Sequence, residues 1–423
     1  MTKKSSMFIS IVLIFFYSGI SSQTDNLINE ILSSEKDFFG SIINNQEYDI
    51  QIIYTQINRD ADNNPIFKTY SLNSDHKKYF YPASTVKLPA CVFALEKLNE
   101  INITGLNANT FLEIDSSYTG QSKVKYDSST FNNLPTIANY IKKILLVSDN
   151  DAFNRLYEFL GQEELNKRLW FHGFKNSKIT HRLSIGLSEL ENRHTNKFRF
   201  YNDSGILYEQ PAFYSDLKFN FELENSIRGI GYYVDDKLIM KPKDFTKSNY
   251  FSLEDQHNFI KILFFGADSS HRDFNLTYSD YKFLYRYMAL TPRQSSEPIY
   301  PENEYWDGYV KFFIFGNTKE RMPDDIRIFN KVGEAYGFLI DNAYIVDFKN
   351  KVEFLLSAVI YVNEDEIFND DKYEYDEIGF PFLARLGKVF YNYELKREKK
   401  FLPNLSKLSE AIKWTKMIFQ LQL

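Results

Sequence analysis

The sequence predicts a mixed α/β fold, an α+β sandwich whose sheet is assembled from both ends of the chain around a block of helices. Two observations carry this expectation. Runs with strand character lie near the start, at 48–58 and 66–72, and again late, at 326–332, 337–348 and 352–362. Helical segments fill the stretch between them, and no repeat or Pro-rich or Gly/Ser-rich linker divides the chain. Strands separated by helices in this order pair over long sequence distances.

The elements follow in order. Residues 26–43 read as an amphipathic helix. Ile50, Ile52, Tyr54 and Ile57 give 48–58 a strand pattern, the cluster 60–65 is turn-forming, and 66–72 returns as the second strand of a hairpin. A long helix is expected at 84–99, then a polar Ser/Thr/Asn-rich stretch to Pro135. Helices follow at 136–147, 151–160 and 162–171, the last ended by Gly173. Residues 175–251 are polar and aromatic without clear periodicity. Ser252 with Asp255 resembles a capping box for a helix to 265, and Ser279 is expected to open another to 290. After the three late strands, 375–396 and 404–423 read as helices.

Composition narrows the function. With 43% hydrophobic and 25% charged residues the chain is globular, and its length permits a large core without disulfides or metals. A net charge of -6 gives no electrostatic ground for nucleic acid as a partner. The 17% aromatic content reads as core packing. Cys91, the one cysteine, lies in an apolar run and reads as a buried, inert thiol, so no internal disulfide can form. The six histidines form no HExxH and no ligand-spaced pair, so no zinc site is expected, and the readings reached below need neither a metal nor an organic cofactor.

Lys3 and Lys4, the apolar run 8–17 and the small residues Ser18, Gly19, Ser21 and Ser22 have the order of a secretory signal peptide. Residues 1–22 are therefore expected to be removed, giving a secreted or periplasmic protein without a stable membrane anchor; an uncleaved anchor is the alternative. The expected layout is one main domain at 23–400 and a helical extension at 401–423.

Ser84–Thr85–Val86–Lys87 stands at the start of an apolar helix. The SxxK spacing also occurs at Ser33, Ser74, Ser122 and Ser215, so context has to separate them. A hydroxyl and an amine at i and i+3 share one helix face. The first turn favours a developing negative charge. Apolar flanks should bury Lys87, and burial lowers a lysine pKa until the neutral amine can deprotonate a serine. Taken alone, the motif is also an N-capping serine beside a surface lysine. Two further motifs follow in order: Ser148–Asp149–Asn150 between two helices, and Lys331–Val332–Gly333 at a strand end.

This ordered trio resembles the SxxK, SDN and KTG motifs of the penicillin-recognising serine acyl enzymes, the class A β-lactamases and penicillin-binding proteins. The resemblance covers about 48–389. It implies a β-lactamase/transpeptidase-like fold: an antiparallel sheet flanked by helices, an all-helical lobe, and a cleft between them. It implies Ser84 as the acylated nucleophile, Lys87 as a general base, and Ser148 as the relay of a proton to the leaving nitrogen. Lys331 would hold a substrate carboxylate, and Asn150 would bind a substrate amide. After Gly333, the backbone N–H of Glu334 would complete an oxyanion hole with that of Ser84. One such donor is worth about 3 kcal/mol to the transition state.

The chain departs from the pattern in three places. Val332 replaces a hydroxyl that would bond the substrate carboxylate, an interaction worth about 1.5–3 kcal/mol. The glutamate that activates the deacylating water is expected near Ser184, where no carboxylate stands; Glu189 and Glu191 are the nearby candidates, and both also read as solvated loop carboxylates. The span from Asn150 to Lys331 is long, so an insertion is expected at about 192–251. The leading expectation is a monomeric secreted serine hydrolase acting on the β-lactam amide. A D-alanyl-D-alanine peptidase or penicillin-binding protein acting on cell-wall peptides, an esterase, and a non-catalytic ligand-binding descendant are the alternatives. No GxSxG elbow supports an α/β-hydrolase.

Overall fold

A computed structural model describes residues 21–413. The signal-peptide reading falls almost wholly outside the described residues, as does the end of the C-terminal helix.

The chain opens with helices α1 (Ser21–Leu32) and α2 (Lys36–Ile43), separated by the turn Ser33–Glu35, where one continuous helix was expected. Strands β1 (Gln51–Arg59) and β2 (Pro65–Leu72) form the predicted hairpin. Its turn is tied by Asp60 Oδ1, which accepts from the N–H groups of Asp62 and Asn64 at 3.0 and 2.8 Å. A 3-10 turn, Ala83–Val86, leads into α3 (Lys87–Ile101). With α4 (Ile137–Val147), α5 (Asn150–Leu160) and α6 (Gln162–Phe171) it makes the helical lobe. Thr136 caps α4 and Asp149 caps α5.

β3 (Phe111–Asp115) lies in the stretch read as polar loop. Only Leu112 and Ile114 face inward there, too short an alternation to read against its polar flanks. It pairs with β4 (Lys197–Asn202), which pairs with β5 (Gly205–Gln210), after the one-turn helix α7 (Glu189–Asn192). β6 (Ile227–Arg228), β7 (Gly231–Val234), β8 (Lys237–Ile239) and β9 (Lys243–Asp244) follow. The segment without periodicity is therefore a set of short strands, each too brief to show a period.

α8 (Leu253–Phe265) is capped by Ser252 as expected. α9 (Tyr278–Ala289) is capped by Thr277 rather than Ser279, because Thr277 and Asp280 form the reciprocal capping box. After the turn α10 (Phe312–Phe315) come β10 (Ile326–Ala335), β11 (Phe338–Asp347), β12 (Val352–Tyr361) and the short β13 (Ile367–Phe368), which pairs with β7. The wide turn Tyr375–Gly379 opens α11 (Phe380–Lys396), and α12 (Ser406–Lys413) packs on α9.

The central sheet has the order β10–β11–β12–β1–β2 and is antiparallel throughout. An antiparallel sheet flanked by helices, beside a helical lobe, is the arrangement that the motifs imply. Pairing of β1 with β12 joins the two ends of the chain, Tyr54 standing opposite Leu356. α1 and α11 cover one face and α8 the other, which explains why β11 and β12 are buried along their whole length. Tyr336 and Gly337, both at positive φ, form the two-residue turn between β10 and β11. β10 is left at the sheet edge, facing the helical lobe across a cleft.

Candidate active site

Ser84 stands on the 3-10 turn that packs against β10. The turn is strained: Ala83, with φ 48°, sits in the left-handed region that an alanine rarely enters. Thr85 Oγ1 donates to the Pro82 carbonyl at 2.7 Å and holds it. Gly333 is required opposite, because a Cβ there would stand 2.7 Å from Pro82 O and 3.2 Å from Ala83 Cβ. Ser84 is partly exposed at the cleft floor and has no side-chain hydrogen bond to the described residues.

Lys87 begins α3 and is fully buried. Burial, with the nearby Lys331 charge second, pushes its pKa well below the usual lysine range. Its Nζ donates to the Ser148 carbonyl and, at 2.6 Å, to Asn150 Oδ1. A neutral amine has two N–H groups, so these acceptors occupy both and leave the lone pair, on the side of the Ser148 hydroxyl, able to take a proton.

Ser148 ends α4 in the left-handed conformation, φ 59°, which turns the chain sharply so that Asp149 can cap α5. Its hydroxyl lies between two amines, 3.3 Å from Lys87 Nζ and 2.8 Å from Lys331 Nζ. Lys331 is buried and its pKa is pushed down to about 7 by burial. The second contact of its Nζ is the Val332 carbonyl at 2.9 Å. The structure thus brings Ser84, Lys87, Ser148, Asn150 and Lys331 to one cleft from three separate motifs.

The pleat of β10 sorts its residues. Lys331 and Gly333 face the nucleophile turn; Val332 and Glu334 face the other way, Val332 into the core beside Phe312 and Phe313. The two-residue turn makes Ala335 and Phe338 a hydrogen-bonded pair. One residue earlier, the Glu334 N–H points away from β11 to the open edge, where an oxyanion donor is needed.

The two loop carboxylates, the candidates for the deacylating base, are held outside the cleft by partners of their own. Glu189 is ion-paired to Arg193 at 3.2 Å and Lys247 at 2.8 Å. Glu191 accepts from the N–H and hydroxyl of Ser188 in the capping box of α7. Neither lines the cleft. Ser184 does, and its Oγ accepts from Asn150 Nδ2 at 2.8 Å. The loop is latched there by Asn154, whose amide exchanges two hydrogen bonds with the Leu183 backbone.

Two cavities meet at Ser84. One, of ≈ 770 Å³, is lined by Ser84, Ser148, Trp306, Val332, Glu334 and Asp376. The other, of ≈ 580 Å³, is lined by Tyr81, Ser84, Ser184, Glu334 and Tyr336, among others. The Glu334 side chain, lining both, is the residue that sequence reasoning missed, since only its backbone had a role there. The signal was available: a lone carboxylate in a strand whose eight preceding residues are all buried. Cys91 is fully buried and its thiol pKa is raised by burial, as an inert thiol requires. No group of three or more metal-ligating side chains occurs among the described residues.

Residues 37–206 match the family described as the Beta-lactamase enzyme family. That span includes Ser84, Lys87, Ser148, Asn150 and Ser184 and stops short of Lys331. No curated protein matches the chain. Among solved structures, PBP-A is similar over 87% of this chain and 95% of that one, at 14% identity and a TM-score of 0.48. A β-lactamase from Desulfarculus baarsii DSM 2075 is similar over 90% and 100%, at 12% identity and 0.47. A class A β-lactamase from Clostridium kluyveri DSM 555 is similar over 88% and 98%, at 14% identity and 0.43.

Proposed function

We propose that this chain, whose residues 37–206 are sequence of the β-lactamase enzyme family, is an exported serine hydrolase that works through an acyl-enzyme at Ser84. The observation that supports it best is Ser148 held between the amines of Lys87 and Lys331 beside a free Ser84 hydroxyl. Ser84 Oγ attacks the substrate carbonyl, and its proton passes to the lone pair of Lys87. The N–H groups of Ser84 and Glu334 take up the oxyanion. Ser148 gives its proton to the leaving atom and is resupplied from the Lys331 ammonium. Water then cleaves the ester, its hydroxyl joining the acyl carbon and its proton returning to Ser84, while the proton gained by Lys87 passes through Ser148 back to Lys331.

The placement of Glu189 and Glu191 favours slow release on one substrate class. A β-lactam would acylate Ser84 and leave slowly, as on a penicillin-binding peptidase, because Ser184 cannot activate water as a carboxylate does. The test is intact-protein mass after mixing the full chain with benzylpenicillin and, separately, with an uncharged thioester. An adduct that disappears in Ser84→Ala is expected with at least one of them. An adduct that survives the substitution, or neither adduct nor product with either compound, overturns the reading.

A further inference from the structure

We infer that Glu334 sets the charge of the substrate, turning the subsite beside the scissile bond against carboxylates and toward an ammonium group. The inference rests on the acyl-enzyme reading and deepens it. Its ground is the face of β10 opposite the nucleophile turn. There the family pattern places a hydroxyl that receives a substrate carboxylate. This chain places the apolar Val332 at that position and a carboxylate two residues on.

The surroundings of Glu334 point the same way. Among the described residues its carboxylate has no hydrogen-bond or ion-pair partner. It is open to the cleft but walled by protein, and Asp376 lines the same cavity from the turn before α11. Burial first and Asp376 second raise its pKa to about 7, the mark of a negative charge without compensation. A carboxylate brought there would meet Asp376 and the ionised fraction of Glu334; an ammonium would relieve both and favour the ionised form of Glu334.

The rest of the wall suits a cation. Trp306, Tyr309 and Phe380 line the cavity, and aromatic faces attract ammonium groups. The protein already shows this: Lys319, exposed at the rim, holds its Nζ 4.7 Å from the Trp306 ring centroid. Among the described residues Lys319 is the one cation lining that cavity. Lys331, which would otherwise hold a carboxylate, is turned to Ser148 and the Val332 carbonyl, and burial has weakened its charge.

The test uses the full chain and three thioesters of phenylacetylglycine. Their leaving thiols end in trimethylammonium, tert-butyl or carboxylate at equal distance from sulfur. Thiol release gives kcat/KM, and intact mass reports acylation of Ser84. The ammonium ester should exceed the neutral one by about tenfold, and the carboxylate ester should fall below it, the ordering of charge complementarity in a partly desolvated cleft. In Glu334→Gln both ratios, each taken within the variant, should shrink at least about threefold; Asp376→Asn should shrink them less. Should Glu334→Gln fail to fold, the wild-type ratios still decide. Equal rates for the three esters, or preference for the carboxylate, overturn the inference and leave the acyl-enzyme reading standing. No thiol release and no adduct with any ester overturn both.

Discussion

The two faces of β10 are unlike each other. On one, Lys331 reaches Ser148 and Gly333 lets the strand lie against Pro82 and Ala83, so every atom is constrained. On the other, Glu334 stands in an open cavity without a partner among the described residues, two residues from a buried Val332. Adjacent residues of a strand point to opposite sides, so one residue of spacing separates the chemistry from its recognition. The lesson is that the reacting face tolerates no change of shape, whereas the facing side can invert its charge without disturbing it.

The comparison can be broken most severely from the reacting face. Lys87→Met keeps the buried volume and removes the base. Adduct formation at Ser84 should slow roughly 10²- to 10⁴-fold while the fold is retained. Stopped-flow acylation with circular dichroism as the control checks this, and acylation at the wild-type rate would remove the role given to Lys87. Gly333→Ala drives a methyl into the Pro82 carbonyl and the Ala83 side chain. Activity should fall roughly 10²-fold, since a displacement of about 1 Å at a reacting centre has that effect. Overpacking should destabilise the fold by about 1–3 kcal/mol, read from urea melts.

The open face gives the smallest and most directional effect. The Glu334 carboxyl has a folded pKa of about 7 against an ordinary 4.5. Its contribution to stability is therefore full below pH 4.5 and is lost as pH rises through 7. Glutamine has no proton to lose. The Tm of Glu334→Gln should thus gain on wild type between pH 5 and pH 8. A difference independent of pH would show that the carboxylate is not crowded.

The parts of the molecule legible in the sequence are those with a long period or a strong stop. The hairpin at β1 and β2, the helices α4 to α6 and α8, and the strands β10 to β12 repeat their pattern long enough to be read. The α1–α2 break was hidden because a short turn barely disturbs an amphipathic stripe. β3 to β9 were hidden because strands of two to six residues lean on partners far along the chain. In the candidate site, the reacting residues were visible as short motifs, each with its own helix start or strand end. The separation of Glu189 and Glu191 from the cleft was not, since Arg193, Lys247 and Ser188 decide it in three dimensions. The exposed carboxylate of Glu334 needed the pleat of β10 to be noticed.

The pairing of Tyr54 with Leu356 also dictates an order of assembly. β1 and β2 are among the first strands synthesised, yet β1 receives its inner neighbour only when β12 arrives. Until then the hairpin presents an unpaired edge, the kind of edge that invites association between chains. Contacts of such sequence separation slow folding, so the nascent protein passes through a stage in which its first strands need shielding.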